Sequence, residues 1–214
     1  MKKIFTIGSS TIPGEVILPH VLPEILKRDS NFTFKIDVSN SHDTFEKVRR
    51  GEVEVGIIGT KYASDEVDYH PVIHGDRLVV IVPKDHPFSS KGQITLEELK
   101  RQPFINRESG SGTRTTYEQA FRNAGLAPEE LNVVAEISDT EGVIQAVAAG
   151  AGLAIVSEVA ARQSECCGDL VILTLPIEIH RDFYVITKKK QRVAFCEGSS
   201  PALDRYNILI VRLG

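Results

Sequence analysis

Three short stretches of this chain place hydroxyls or glycines where an extended run gives way to a helical one: Ser9-Ser10-Thr11, Ser109-Gly110-Ser111-Gly112-Thr113, and Ser138 to Thr140. In open α/β sheets such corners gather at the carboxyl ends of the strands, where ligands bind. Backbone N–H groups at a helix start lack partners within the helix. With the helix dipole and nearby hydroxyls they make a site for carboxylate, sulfate or phosphate. The competing explanation is stability alone, because Ser and Thr cap helices well. Thr95 with Glu98 and Ser138 with Glu141 both spell capping boxes, so these two are read first as caps. The Ser109 to Thr113 corner differs. Two glycines weaken a helix start, and close approach of a ligand to the backbone explains them better than capping does. Arg107 and Arg114 flank that corner. A cation in a first helical turn opposes the dipole, so Arg114 implies an anionic neighbour, either a ligand or a carboxylate in a surface salt bridge.

Enzyme templates find no match. The sequence has no G-x-S-x-G elbow, no phosphate-binding G-x-x-x-x-G-K-[ST] loop and no H-E-x-x-H. The glycines at 150 to 152 precede a strand instead of following one, which is the wrong order for a dinucleotide fingerprint. His20, His42, His70, His74, His86 and His180 stand singly. Cys166 and Cys167 are adjacent and lack the spacing of a zinc site, even with His180 as a third ligand. No catalytic residue, metal or cofactor is expected.

Those corners need strands and helices to hold them. The apolar pattern alternates between strand and helix periods, as in an α/β fold with mainly parallel strands. Residues 3 to 8 read as a strand. Leu18, Val21, Leu22, Ile25 and Leu26 follow at helical spacing, with Pro19 and Pro23 bending the helix. Phe32 to Val38 alternate as a strand, Ser41 caps a short helix bearing Phe45 and Val48, and Val53 to Ile58 is a buried strand. Residues 78 to 82, Leu-Val-Val-Ile-Val, are apolar enough for a strand covered on both faces. The alternation then restarts, with a strand at Phe104-Ile105 and a helix bearing Tyr117, Ala120, Phe121 and Ala124. A strand at 133 to 137, a helix bearing Val143, Ile144, Val147 and Ala148, and strands at 152 to 156, 170 to 175 and 183 to 187 complete it. Pro201 to Leu213 read as a last helix with Leu203, Tyr206, Leu209 and Ile210 apolar. The expected architecture is two Rossmann-like lobes, 1–82 with 187–214 and 83–186, joined by two crossing strands.

Composition narrows the function. The 214 residues are 42% apolar, enough for a sizeable core, and the net charge is −4 with no cationic tail, so this segment by itself should bind nucleic acid poorly. No run of about 18 apolar residues is present, so no membrane span is expected. Nothing after Met1-Lys2-Lys3 resembles a secretory signal, and three cysteines, two of them adjacent, make no disulfide framework. A cytoplasmic location is the expectation. Internal repeats and low-complexity segments are absent.

The stretches IGSSTIPGEVILPHVLPEIL, VRRGEVEVGIIG, LVVIVPKDHP, ITLEELKRQPFI, GSGTR and AVAAGAGLAIVS, in this order and across nearly the whole chain, resemble the effector-binding domain of LysR-type transcriptional regulators. The resemblance implies a fold like that of type II periplasmic binding proteins, a homodimer, and an effector cleft between the lobes; with the corner residues read above, the expected effector is a small anion. By position, Ser9, Ser10 and Thr11 match the first effector-contacting turn. Gly59 and Thr60 end the third strand facing the cleft, Ser109 to Thr113 match the second-lobe turn, and Thr140 lies near its rim. Ser157 departs from the pattern, since many relatives carry proline there. Family members reach DNA through an N-terminal winged helix-turn-helix absent from this chain, so it is either a piece of a longer regulator or a stand-alone sensor. Dimerisation would use the first helix and the strand at 32 to 38 against the partner's second lobe. Two other readings stay open: a transporter's solute-binding protein, which shares this fold, and an enzyme built on it.

Overall fold

The computed structural model describes residues 2–27, 33–165 and 168–189, and the backbone of 28, 32, 193–196 and 210–213. The chain divides into two units, Met1–Gly75 with Asp182–Gly214, and Asp76–Arg181. Two long strands, β4 (Val67–Pro83) and β9 (His180–Lys188), carry the chain from one to the other. The divisions thus lie several residues before the expected ones at 82 and 186. Asp76 and Arg77, just outside the strand expected at 78 to 82, already belong to the second unit.

In the first unit β1 (Lys3–Ser10) pairs in parallel with β2 (Phe32–Ser39) and β3 (Val55–Ile58), and β9 runs antiparallel against β3. After β1 the chain is helical as far as Arg28: a π-helical turn at Ile12–Ile17 leads into α1 (Leu18–Arg28). Helix α1 runs as one element through Pro19 and Pro23, where a bend was expected, and the irregular winding lies ahead of it, where Pro13 sits in the wide turn. Helix α2 (Ser41–Arg50) starts one residue earlier than the sequence suggests, because Asn40 is the cap, its side chain accepting from the Asp43 amide at 2.8 Å. Phe45 and Val48 on α2 pack with Val53, Ile58, Val67 and Ile186 into this unit's core.

The second unit has β5 (Phe104–Arg107) parallel to β6 (Val133–Ile137), while β4 runs antiparallel to β7 (Ala154–Ser157) and β8 (Leu170–Leu173). The strands are therefore mixed in direction and not mainly parallel, since β4 and β9 bring in antiparallel neighbours that local periodicity cannot foresee. Helix α3 (Leu96–Leu99) opens with the expected Thr95–Glu98 capping box. Helix α4 (Gly112–Asn123) lays Tyr117 and Phe121 into a core with Phe104, Val80, Leu153 and Leu173. Helix α5 (Thr140–Ala148) is capped by Asp139, which accepts from the Gly142 amide, and not by Ser138. Helix α6 (Glu158–Glu165) follows β7 directly; its short, polar sequence gave no advance signal. The strand pair β10 (Val193–Cys196) and β11 (Ile210–Leu213) overturns the helix expected to run to Leu213, at least from Ile210 onward. Pairing with β10 satisfies this apolar segment as a strand. Residues 201–209 lie outside the described residues, as do Cys166 and Cys167.

Gly152 shows how tightly β7 is set against β5. A Cβ there would lie 2.6 Å from the Pro103 carbonyl oxygen, the same oxygen that accepts from the Leu153 amide at 2.8 Å. Backbone cannot yield as a side-chain tip does, so Gly152→Ala is expected to cost about 1–3 kcal/mol. A thermal unfolding midpoint unchanged from wild type would show that this contact relaxes freely.

Candidate functional site

Each unit gathers its hydroxyl-bearing corner at the carboxyl ends of its parallel strands. In the first unit Ser9 on β1 is in register with Ile57 on β3, so Ser10, the last residue of β1, and Thr11 lie toward the same sheet end as Gly59 and Thr60. Ser9, Ser10 and Thr11 are buried, Gly59 is buried and Thr60 half-buried. The Ser9 hydroxyl donates to the Ser10 carbonyl at 3.1 Å. Thr11 starts the π-helical turn without a side-chain capping bond. Gly14 lets that turn settle on the corner: a Cβ there would come within 3.2 Å of the Ser9 hydroxyl and 2.8 Å of a Val38 methyl.

In the second unit the ends of β5 and β6 are in register at Arg107 and Ile137, and α4 and α5 both begin beside them. Ser109 is exposed, Gly110 has φ +89°, and Ser111, Gly112 and Thr113 are buried. Ser111 occupies the cap position of α4 yet makes no side-chain capping bond, and α4 has no acidic residue in its first turn. The first hydrogen bond of this helix runs from the Thr115 amide to the Ser111 carbonyl at 3.0 Å, so the amides of Gly112, Thr113 and Arg114 precede it. This is the arrangement that receives anions at helix starts.

The cations around the corner already serve the protein. Arg107 is 2% exposed. Its Nε and Nη2 donate to the two Glu108 carboxylate oxygens at 2.8 and 3.1 Å, Nη1 to the Thr140 hydroxyl at 2.8 Å, and Nη2 also to the Ser138 carbonyl at 3.3 Å. Arg107 and Thr140 are thus brought together, as a clamp between β5 and the start of α5. That clamp explains the frame of the α5 cap, since Ser138 presents its carbonyl to Arg107 while Asp139 caps. The anionic neighbours of Arg114 are carboxylates, Glu118 at 2.7 Å and Glu136 at 2.8 Å, so a salt bridge answers its place in the first turn.

A second buried guanidinium stands behind the corner. Arg181, 8% exposed, donates from Nη1 to the Thr113 hydroxyl at 2.9 Å and from Nε to Asp76 at 2.8 Å. The other Asp76 oxygen accepts from the Ser157 hydroxyl at 2.6 Å. Burial pulls the Arg181 pKa below its ordinary value, the Asp76 carboxylate opposes this, and nearby Arg107 adds to the lowering. Among the described residues no cluster of three His, Cys, Asp or Glu side chains could hold a metal ion.

The model of the LysR substrate binding domain matches residues 2–194. This chain belongs to that family. A relative of this LysR substrate-binding domain, an HTH-type transcriptional regulator of Methanocaldococcus jannaschii, is 33% identical over 190 residues, which cover 88% of this chain and 64% of the regulator. The domain therefore spans less than two thirds of that relative. Among solved structures, the Synechocystis CcmR regulatory domain in complex with 2-PG superposes with a TM-score of 0.78 at 24% identity, covering 89% of this chain and 90% of that one. The QuiR effector-binding domain in complex with shikimate gives 0.78 at 16% identity, covering 96% and 94%. These two likenesses establish the fold, that of type II periplasmic binding proteins.

Sequence reasoning about this LysR domain missed Asp76 and Arg181. Asp76 sits in a polar run with Gly75 that reads as a turn, and Arg181 follows His180 in what reads as a loop. The only local hint was Ser157, the departure from the family's usual proline, which gives Asp76 its second partner.

Proposed function

We propose that this domain senses a small anionic metabolite without turning it over, and that it does so as part of a longer cytoplasmic regulator which passes the ligand state to DNA. The observation that carries the reading is the start of α4: a buried Ser111 hydroxyl without a capping role, three leading amides, and two guanidinium groups behind them. Ser10, Thr11, Gly59 and Thr60 supply the ligand groups of the first unit, and Ser109 to Thr113 those of the second. Arg107 and Thr140 hold the second corner in shape. The π-helical turn beside Ser9 to Thr11 supports the assignment, because such turns recur at functional sites. The CcmR and QuiR structures are complexes with 2-PG and shikimate, which supports a small-molecule guest, and the regulator relative favours this reading over a transporter's solute-binding protein. Among the described residues no helix is long and apolar enough to cross a membrane.

A homodimer is part of the proposal. Leu26 on α1 and Val38 on β2 are 46% and 39% exposed, and Val133 and Val134 on β6 are 46% and 54% exposed, so the elements proposed to pair carry apolar groups at the surface. Sedimentation should show a dimer, and Val134→Glu should shift it toward monomer. A wild-type monomer at high concentration counts against the arrangement.

The test of sensing is thermal unfolding with sulfate, phosphate, shikimate and short phosphorylated carboxylic acids. A ligand at about a hundred times its dissociation constant should add roughly 2.7 kcal/mol of stability. Ser10→Ala and Ser111→Ala should each weaken the response while leaving the free protein near wild-type stability. A wild-type chain that no anion stabilises would sink the reading.

A further inference from the structure

We propose that Arg181 is a positioning residue that ties the first turn of α4 to both strands passing between the two units, so that whatever Thr113 grips is felt at Asp76. The inference rests on the reading that the α4 corner holds the effector.

The two chain crossings fall between Gly75 and Asp76 and between Arg181 and Asp182. Asp76 and Arg181 are therefore the first and last residues of the second unit, and the Nε–Oδ2 bond of 2.8 Å joins one crossing strand to the other. Two residues further into the unit, the Leu78 amide donates to the Ile179 carbonyl at 2.8 Å and repeats the link in the backbone. A pair needed only to close these strands would want nothing from α4. Arg181 nevertheless reaches Thr113, 68 residues away in sequence, while Asp76 reaches Ser157 at the end of β7. Four elements, β4, β9, α4 and β7, thus meet on one guanidinium and its carboxylate.

The guanidinium is planar and its donors point in fixed directions, so it cannot follow one partner without turning away from another. In a buried place a broken bond is not replaced by water, and a displacement of Thr113 is therefore shared with Asp76. Just across the crossing Gly75 has φ +75°, and its amide donates to Asp182 at 3.1 Å, with His74 3.2 Å from the other carboxylate oxygen. The strand that receives the displacement thus carries, next to Asp76, a residue able to change its backbone angles cheaply.

Hydrogen exchange, followed amide by amide on the chain without ligand, tests the link. Thr113→Val removes the acceptor of Nη1 and should speed exchange of the Leu78 amide about five-fold or more while Val80 and Ile81, deeper in β4, keep wild-type rates. Thr113→Ser keeps the hydroxyl and should match wild type. Arg181→Lys, whose single ammonium cannot span Thr113 and Asp76, should behave as Thr113→Val. If Thr113→Val leaves Leu78 at its wild-type rate, or if every amide of the second unit accelerates equally, Arg181 only stabilises the fold and the proposal is overturned. No ligand enters this measurement, so its failure leaves the anion-sensing reading standing, and failure of anion binding does not alter the exchange rates.

Discussion

Asp76→Ala is expected to lower the stability of the second unit by about 3–5 kcal/mol, the usual cost of removing one partner from a buried ion pair. The loss has two parts. Arg181 stays charged, because an arginine does not give up its proton at any ordinary pH, and burial denies it water as a substitute for the carboxylate. The Ser157 hydroxyl loses its acceptor at the same stroke. Asp76→Asn should cost less, since the amide oxygen still accepts one hydrogen bond. Urea denaturation measures both: the midpoint should fall in the order wild type, Asp76→Asn, Asp76→Ala, with unchanged slope. A loss below about 1 kcal/mol for Asp76→Ala would place the pair among surface salt bridges in energetic terms.

The second large effect is expected at Arg107. Its guanidinium joins Glu108, the Thr140 hydroxyl and the Ser138 carbonyl, so Arg107→Ala strands three polar partners at the start of α5. The expected loss is about 3 kcal/mol, at the lower end for a buried pair because Glu108 keeps some contact with water. Arg107→Lys should recover little, since one ammonium cannot serve the fork that the guanidinium fills. The experiment also separates two roles. A residue that grips the effector directly would, when removed, abolish ligand-induced stabilisation and leave the free protein nearly intact. For Arg107 the free protein should be weakened, which equilibrium unfolding without ligand detects.

The same division of roles explains how far the site could be read without coordinates. Ser9 to Thr11 and Ser109 to Thr113 are legible because a strand period stops and a helix period begins within a few residues, and glycines among hydroxyls at that junction have few other uses. Thr95 and Glu98 are legible for a similar reason, being three residues apart on one turn. The caps of α2 and α5 were each placed one residue off, because Asn40-Ser41 and Ser138-Asp139 each offer two competent side chains in succession. At α5 the choice goes with Arg107, which takes the Ser138 carbonyl. The first half of β4 was invisible, since Pro71, Gly75 and its charged neighbours carry every local mark of a turn.

Alternating apolar periods and hydroxyl-rich junctions determined, from the sequence alone, an α/β chain with hydroxyl- and glycine-bearing corners at its strand ends, because those signals depend on residues a few positions apart. Tertiary structure alone decided that Arg107 serves as a clamp, that β4 and β9 mix the strand directions, and that Asp76 meets Arg181. That pair is 105 residues apart in sequence. Neither partner is suited to burial by itself. Only the fold, by excluding water from both at once, makes each the other's requirement.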